Sequence, residues 1–233
     1  MACPRYITCM QEPETKRAIA FIDGQNLFYA VRDAFGYTYP NYDPLKLARE
    51  MCRKEGWDLV LVRFFTGVPT EGDNAFWFHF WANKLRQMEA DGVSVYSRPL
   101  RYHHKTFRLP DGQEQRMTIG HEKGIDVRLA IDIMTGVVND ACDVALIFSQ
   151  DQDLSEVAEE VHTIAERSNR WVKVACAFPN SPQMANTRGI NHSDWLPFSK
   201  MLYDQCIDHR DYRDPDHMSP SHNNDAPHAP HRE

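Results

Sequence analysis

Residues Asp143 to Ser155 read DVALIFSQDQDLS. The apolar run Val144 to Phe148, bounded by charge on both sides, has the length and β-branched content of a buried strand, and a polar turn carrying Asp151 and Asp153 follows at once. In an open parallel sheet the ligand crevice lies outside the carboxyl ends of the strands. Two carboxylates just past a buried strand therefore stand where chemistry is usually done. Two readings are open for them. Asp153 with Glu156, ahead of an apolar-periodic segment, makes a capping box; alternatively the aspartates bind a hard cation.

Outward from that stretch the pattern repeats. The run AIAFI, Ala18 to Ile22, is strand-like and ends on Asp23, followed by Gly24 and Asn26; Leu27, Phe28, Val31 and Phe35 then recur at helical spacing, with Gly36 as a stop. Asp43 and Pro44 open a helix carrying Leu45, Ala48, Met51 and Cys52, which Gly56 ends. Trp57 to Phe65 reads as a strand, and Asn74 to Asp91 as a helix whose aromatic stripe belongs to the core. Val93 to Tyr96 is a further short strand. Lys123 to Val138 is a helix with Asp126 in its first turn, where the macrodipole favours a carboxylate. Leu154 to about Ser168 is another helix, and Trp171 to Phe178 the last expected strand. Trp195, Leu196, Phe198, Met201 and Leu202 are expected to pack as a closing helix. Strands alternating with helices in this way specify an α/β fold with a mainly parallel sheet covered on both faces.

Arg98 to Ile119 breaks the alternation and reads as an inserted β-hairpin around the turn Pro110-Asp111-Gly112. Its Arg98, Arg101, Lys105, Arg108 and Arg116, interleaved with Tyr102, His103, His104 and Phe107, suit contact with single-stranded nucleic acid, and Arg101 and Lys105 are candidate substrate contacts. An ordinary solvated hairpin is the competing reading.

The chain has 233 residues, 42% hydrophobic and 11% aromatic, enough to bury a proper core. A formal net charge of −7 excludes a broad basic surface, so any nucleic-acid contact must be local. The first twenty residues hold no signal-peptide core and no apolar run reaches bilayer length, so the expectation is a cytoplasmic protein with no membrane contact. Six scattered cysteines without a CxxC pair read as reduced thiols rather than zinc ligands. No GxGxxG run offers a dinucleotide site. Residues 1–16 are expected to be flexible, 17–207 to form the folded domain, and 208–233, rich in Pro, His, Asp and Asn, to be a disordered tail.

If the first strand neighbours the one that ends at Phe148, then Asp23, Asp126, Asp151 and Asp153 converge on one crevice. Carboxylates so close repel one another, and some must protonate unless a cation neutralises them. Oxygen-only ligands point to Mg²⁺ or Mn²⁺ rather than zinc, and to metal-assisted hydrolysis of a phosphodiester.

FIDGQN at Phe21 to Asn26, KGIDV at Lys123 to Val127 and the strand-and-DxD turn at Ile147 to Leu154 resemble the three acidic motifs of the NYN domain. This is a PIN-like nuclease group that includes the LabA-like bacterial proteins, and the resemblance spans about residues 17 to 205. It implies a PIN-like three-layer α/β/α sandwich and Mg²⁺-dependent cleavage of RNA. Asp23, Asp126, Asp151 and Asp153 would be the catalytic metal-binding acids, with Asn26, Lys123 and Ser149 lining the site. The last motif usually runs Ser-Gly-Asp-x-Asp-Phe, whereas here Gln150 and Leu154 replace the glycine and the phenylalanine. One bacterial member of the family is assigned as a 6-hydroxy-3-succinoylpyridine monooxygenase and is similar to this chain in size and layout. NADH-dependent hydroxylation is therefore the runner-up, separable by substrate-dependent NADH oxidation. An RNA-binding regulatory domain without turnover is the third reading. RNA is the expected partner, with no signal specific to DNA, and the oligomeric state is left open, a homodimer included.

Overall fold

The computed structural model describes residues 10–108, 114–121, 123–182 and 185–213, with the backbone alone for 103–105, 107–108 and 114–119. In chain order the elements are β1 (Arg17–Asp23), α1 (Gly24–Phe35), α2 (Pro44–Glu55), β2 (Asp58–Val68), α3 (Ala75–Ala90), β3 (Ser94–Pro99), β4 (Arg101–Arg108), β5 (Glu114–His121), α4 (Ile125–Val138), β6 (Val144–Phe148), α5 (Ser155–Ser168), β7 (Lys173–Pro179), β8 (Asp194–Phe198) and α6 (Lys200–Gln205). Six strands make one sheet in the order β3-β2-β1-β6-β7-β8, and every pairing in it is parallel. The order reverses between β1 and β6, which opens a crevice outside their carboxyl ends. Their register, Ile22 opposite Phe148, brings Asp23 level with Ser149.

Alternation along β1 builds the layers. Ala18, Ala20 and Ile22 pack on one face with Leu27 and Val31 of α1, Leu47 and Met51 of α2, Phe80 and Leu85 of α3 and Tyr203 of α6. Ile19 and Phe21 pack on the other with Ile125, Leu129 and Ile133 of α4 and Ala158 and Val161 of α5. All five residues of β6 are buried, as expected of a strand covered on both faces, and the result is the expected α/β/α sandwich. The helix signals form as read: Asp43 accepts from the backbone N–H of Leu45 and Lys46, both at 3.0 Å, ahead of Pro44, and Asn74 accepts from Trp77 N–H. At Gly24 a Cβ would run into the Phe64 ring and lie 3.0 Å from the Phe65 carbonyl oxygen. Glycine there lets α1 start hard against β2.

The hairpin forms, with β4 and β5 antiparallel from Arg101 opposite His121 to Arg108 opposite Glu114. Its turn at Pro110 to Gly112, residues 1–9 and the tail from 214 lie outside the described residues. So do the side chains of His103, His104, Lys105, Phe107, Arg108 and Arg116. Cys52, Cys142, Cys176 and Cys206 are free and buried, and burial pushes their thiols up, to between about 11 and about 12. Among the described residues no helix is long and apolar enough to cross a membrane.

Three expectations change. Trp195, Leu196 and Phe198 lie on β8 rather than on a closing helix, and only Lys200 to Gln205 is helical. Pro197 lacks a donor and is tolerated because β8 is an edge strand, and the Trp195 indole, 42% exposed, donates to Ile190 O at 2.8 Å. The capping box of Asp153 and Glu156 is not made. Asp151 caps instead, accepting from Asp153 N–H at 3.1 Å at the head of a 3₁₀ turn, Gln152–Leu154, and α5 starts after Leu154 without a side-chain cap. The start of the tail also moves: Asp208 to Arg213 pack against α3, where Asp208 pairs with Lys84 and Arg210 with Asp91.

Candidate active site

Each acidic segment reaches the crevice for a topological reason. Asp23 ends β1 and caps α1, its Oδ1 accepting from Asn26 N–H at 3.0 Å. Ser149 and Asp151 follow β6 directly. Asp126 sits in the first turn of α4, whose start is tied to the carboxyl end of the sheet by Arg98 of β3, which donates to Lys123 O at 3.4 Å. The positive ends of α1 and α4 thus point at the same crevice, which suits both carboxylates and phosphate.

Hydrogen bonds sew the turn after β6 to the start of α1. The Ser149 hydroxyl donates to Asp23 Oδ2 at 3.3 Å and accepts from Asp151 N–H at 3.1 Å, while Asn26 Oδ1 accepts from Gln150 N–H at 2.8 Å. Asp23 is only 4% exposed. Burial first, and then the charges of Asp126 and Asp151, push its carboxyl up to about 7 against the pull of Asn26 N–H and the Ser149 hydroxyl. Asp126 is also raised, by partial desolvation first and then by the charges of Asp151 and Asp153. Asp23, Asp126 and Asp151 therefore share one electrostatic site. Asp153, exposed on the 3₁₀ turn, adjoins it through Asp126. Lys123 lies three residues before Asp126 and is exposed, Arg101 is exposed at the base of the hairpin, and the Lys105 side chain is outside the described residues.

Among the described residues no three His, Cys, Asp or Glu side chains stand close enough together to enclose an ion as placed. The donor chemistry still fits a hard dication. The set is all oxygen, the raised Asp23 marks negative charge left uncompensated, and Mg²⁺ commonly takes only one or two carboxylates and keeps several waters.

In the sequence Gln150 shows only as a departure from the family pattern; its structural role appears in the fold. It is buried, and its Nε2 donates to Arg188 O at 2.9 Å and Asn186 O at 3.4 Å, while Gln152 Nε2 donates to Gly189 O at 3.0 Å. Among the described residues the non-glycine positions with positive φ are Asp140, Asn169 and His192, so the backbone at Gln150 does not need glycine. The side chain instead anchors the segment around 186–189 under the DxD turn. Leu154 is buried in the same core cluster as α4 and α5, a role that an apolar residue of either shape can fill. Gln150→Gly is expected to cost about 1–3 kcal/mol through the lost buried hydrogen bonds and the added chain entropy. Urea denaturation measures it, and an unchanged midpoint would contradict the anchoring role.

No curated protein matches the chain. Two solved structures are similar to it in part. A Vibrio parahaemolyticus protein of unknown function is 17% identical, with 82% of this chain and 96% of that one covered and a TM-score of 0.48. Ribokinase from Giardia lamblia is 14% identical, with 78% and 58% covered and a TM-score of 0.36. Neither similarity is close enough to bear on function. The family model of the NYN domain matches residues 17–188, which includes β1, the start of α4 and the turn after β6. With most of its length and all three acidic segments inside that match, the chain belongs to the NYN domain family of PIN-like nucleases.

Proposed function

We propose that the protein is a metal-dependent ribonuclease that hydrolyses phosphodiester bonds of single-stranded RNA, with Asp23, Asp126 and Asp151 holding Mg²⁺ or Mn²⁺ and Asp153 at the rim. The observation that supports this most is the buried Asp23, whose pKa is raised to about 7 at the end of β1 by burial and by two carboxylates from other segments. A bound dication would polarise the phosphate and supply an activated water. The chain's own part is positional. Asp23 keeps a proton near neutrality while the site is metal-free and gives it up on loading; Ser149 and Asn26 hold the two aspartate-bearing segments in register. The starts of α1 and α4 favour the phosphate, and Lys123 and Arg101 contact the backbone. Incubating the purified protein with end-labelled single-stranded RNA tests the reading. Cleavage in Mn²⁺ or Mg²⁺ that EDTA stops is expected, and intact RNA in both metals would overturn it.

The placement of the carboxylates short of a closed cage favours one second reading, an RNA-binding regulatory domain without turnover. Retained RNA binding with no cleavage in either metal would select it.

The raised Asp23 sets a pH dependence. Its folded pKa lies above the ordinary 3.8, so the metal-free folded state holds a proton more tightly than the unfolded chain. The stability this contributes is full below the ordinary carboxylate range and is lost as pH rises toward about 7. In EDTA the wild type should lose Tm between about pH 4 and about pH 7, and Asp23→Asn should remove most of that loss. Added Mn²⁺ should raise Tm more at the higher pH, because its ligands must be deprotonated. A metal-induced shift that shrinks as pH rises would contradict this.

A further inference from the structure

Beside the acidic crevice the sheet carries a compact cationic cluster that no step above uses. The register of β2 and β3 sets Ser94 opposite Arg63, Tyr96 opposite Phe65 and Arg98 opposite Gly67, so Arg63, Phe65, Tyr96 and Arg98 share one face of the sheet. This is the face that α4 covers. From α4, Arg128 reaches back to the same ring: its guanidinium lies 5.1 Å from the Tyr96 centroid and that of Arg98 lies 5.7 Å from it. The Tyr96 ring is backed by Phe65 at 6.2 Å, with Arg63 over Phe65 at 5.8 Å.

The charge is unbalanced. Three guanidiniums gather here, and one buried carboxylate, Asp132, meets two of them, Arg63 Nη2 at 2.8 Å and Arg128 Nε at 3.0 Å. Arg98 is exposed and the Arg128 side chain is 43% exposed, so both keep edges turned to water. A guanidinium stacked on an aromatic ring is fixed in its plane, yet its in-plane N–H donors stay available, and that fork matches the oxygens of a phosphate. In a chain of net charge −7 this is the kind of local positive spot a nucleic-acid contact requires. Its position is set by two connections to the crevice. Arg98 is bonded to the carbonyl of Lys123 at the start of α4, and Arg128 follows Asp126 on the same helix. At Gly124, φ is +78° and a Cβ would sit 2.7 Å from Arg98 Nη1, so the glycine also leaves the space in which Arg98 crosses this turn.

We infer that Arg98 and Arg128, stacked on Tyr96, form a phosphate clamp that holds the backbone of single-stranded RNA beside the acidic crevice. The clamp rests on the ribonuclease reading for the identity of the strand. It grips phosphates rather than bases, so it is indifferent to sequence and sensitive to salt.

The test is fluorescence anisotropy of a labelled single-stranded RNA oligonucleotide, titrated with protein in EDTA over a range of salt concentrations. The double variant Arg98→Gln/Arg128→Gln should bind at least about 10-fold more weakly, and its log–log salt slope should fall by about 1.4, about 0.7 for each lost phosphate contact. Arg49→Gln, an exposed arginine on α2 across the sheet, should change neither. Arg128→Lys keeps the charge but loses the fork, and should weaken binding while retaining the slope. A double variant that matches wild type in affinity and slope overturns the clamp, as does a wild type that does not bind RNA. If wild type cleaves nothing in Mn²⁺ but the double variant still loses affinity and slope, the ribonuclease reading fails and the clamp stands. If wild type cleaves and the double variant binds as well as wild type, the clamp fails alone.

Discussion

Asp23→Asn is expected to lower Mn²⁺-dependent RNA cleavage by at least about 100-fold, since even supporting residues around a metal commonly cost 10- to 100-fold. The same variant should leave the metal-free protein at least as stable as wild type near pH 8. The two outcomes come from one change. Asparagine has the same shape as aspartate and is an equally good helix cap, so its Oδ1 can keep the bond from Asn26 N–H and its position level with Ser149. What it removes is a charge that is buried and faces Asp126 and Asp151. Without metal, that charge is a burden on the fold; with metal, it is the reason the ion binds. Single-turnover cleavage and thermal melting in EDTA read the two effects separately. A variant that stays active contradicts the role given to Asp23, and one that is inactive only because it has unfolded would show in the melt.

Asp208→Ala should destabilise the fold by about 3–5 kcal/mol, the usual cost of removing one partner of a buried ion pair. Lys84, on α3, is 1% exposed. Its ammonium donates to Tyr42 O at 3.0 Å, lies 3.6 Å from Asp208 Oδ2, and sits 4.9 Å from the centre of the Tyr212 ring. Burial lowers it to about 8 even with the charge of Asp208 beside it. Burial pushes Asp208 up, but the Tyr212 hydroxyl, at 2.5 Å, Arg210 N–H and Lys84 outweigh it and hold Asp208 below the ordinary range. Without Asp208 the buried lysine keeps only the weaker influence of Asp43, and Tyr212 loses its acceptor. Urea unfolding measures the cost; a loss under about 1 kcal/mol would show that residues 208–213 lie on the surface without closing it.

That clasp is the clearest case of what the sequence hides. Lys84 sits on an amphipathic helix where a lysine reads as solvated, and Asp208 opens a stretch whose composition reads as tail; nothing local links them. The closing strand was hidden differently. Trp195, Leu196, Phe198, Met201 and Leu202 satisfy helical spacing only because β8 and α6 follow each other within it, and a five-residue edge strand containing proline gives no alternation to oppose that reading. The sequence pattern points to Asp153 as a cap where Asp151 makes it, because a 3₁₀ turn, which has no sequence period of its own, comes before α5. Gln150 anchors carbonyls near residue 188, a contact only the folded chain creates.

The parts that were legible are those with local causes. Alternation along β1, the unbroken apolar run of β6, the Asp43-Pro44 start and the Gly36 and Gly56 stops each carry their signal within a few residues. The convergence of the acidic residues is legible for the same reason. A parallel sheet brings the residues just past its strands together, so Asp23 and Asp151 needed only the adjacency of β1 and β6, which the register supplies. Asp126 needed the direction of α4 as well, and its place in the first turn of a helix that starts at the carboxyl end of the sheet provides it.

Isothermal titration of Mn²⁺ into EDTA-stripped protein near pH 8, without RNA, tests the central claim most directly. The account predicts saturable binding by the wild type that is lost in Asp23→Asn/Asp151→Asn and retained in Asp132→Asn, whose carboxylate is taken up by Arg63 and Arg128. Equal Mn²⁺ binding by the wild type and the Asp23/Asp151 double variant would contradict it.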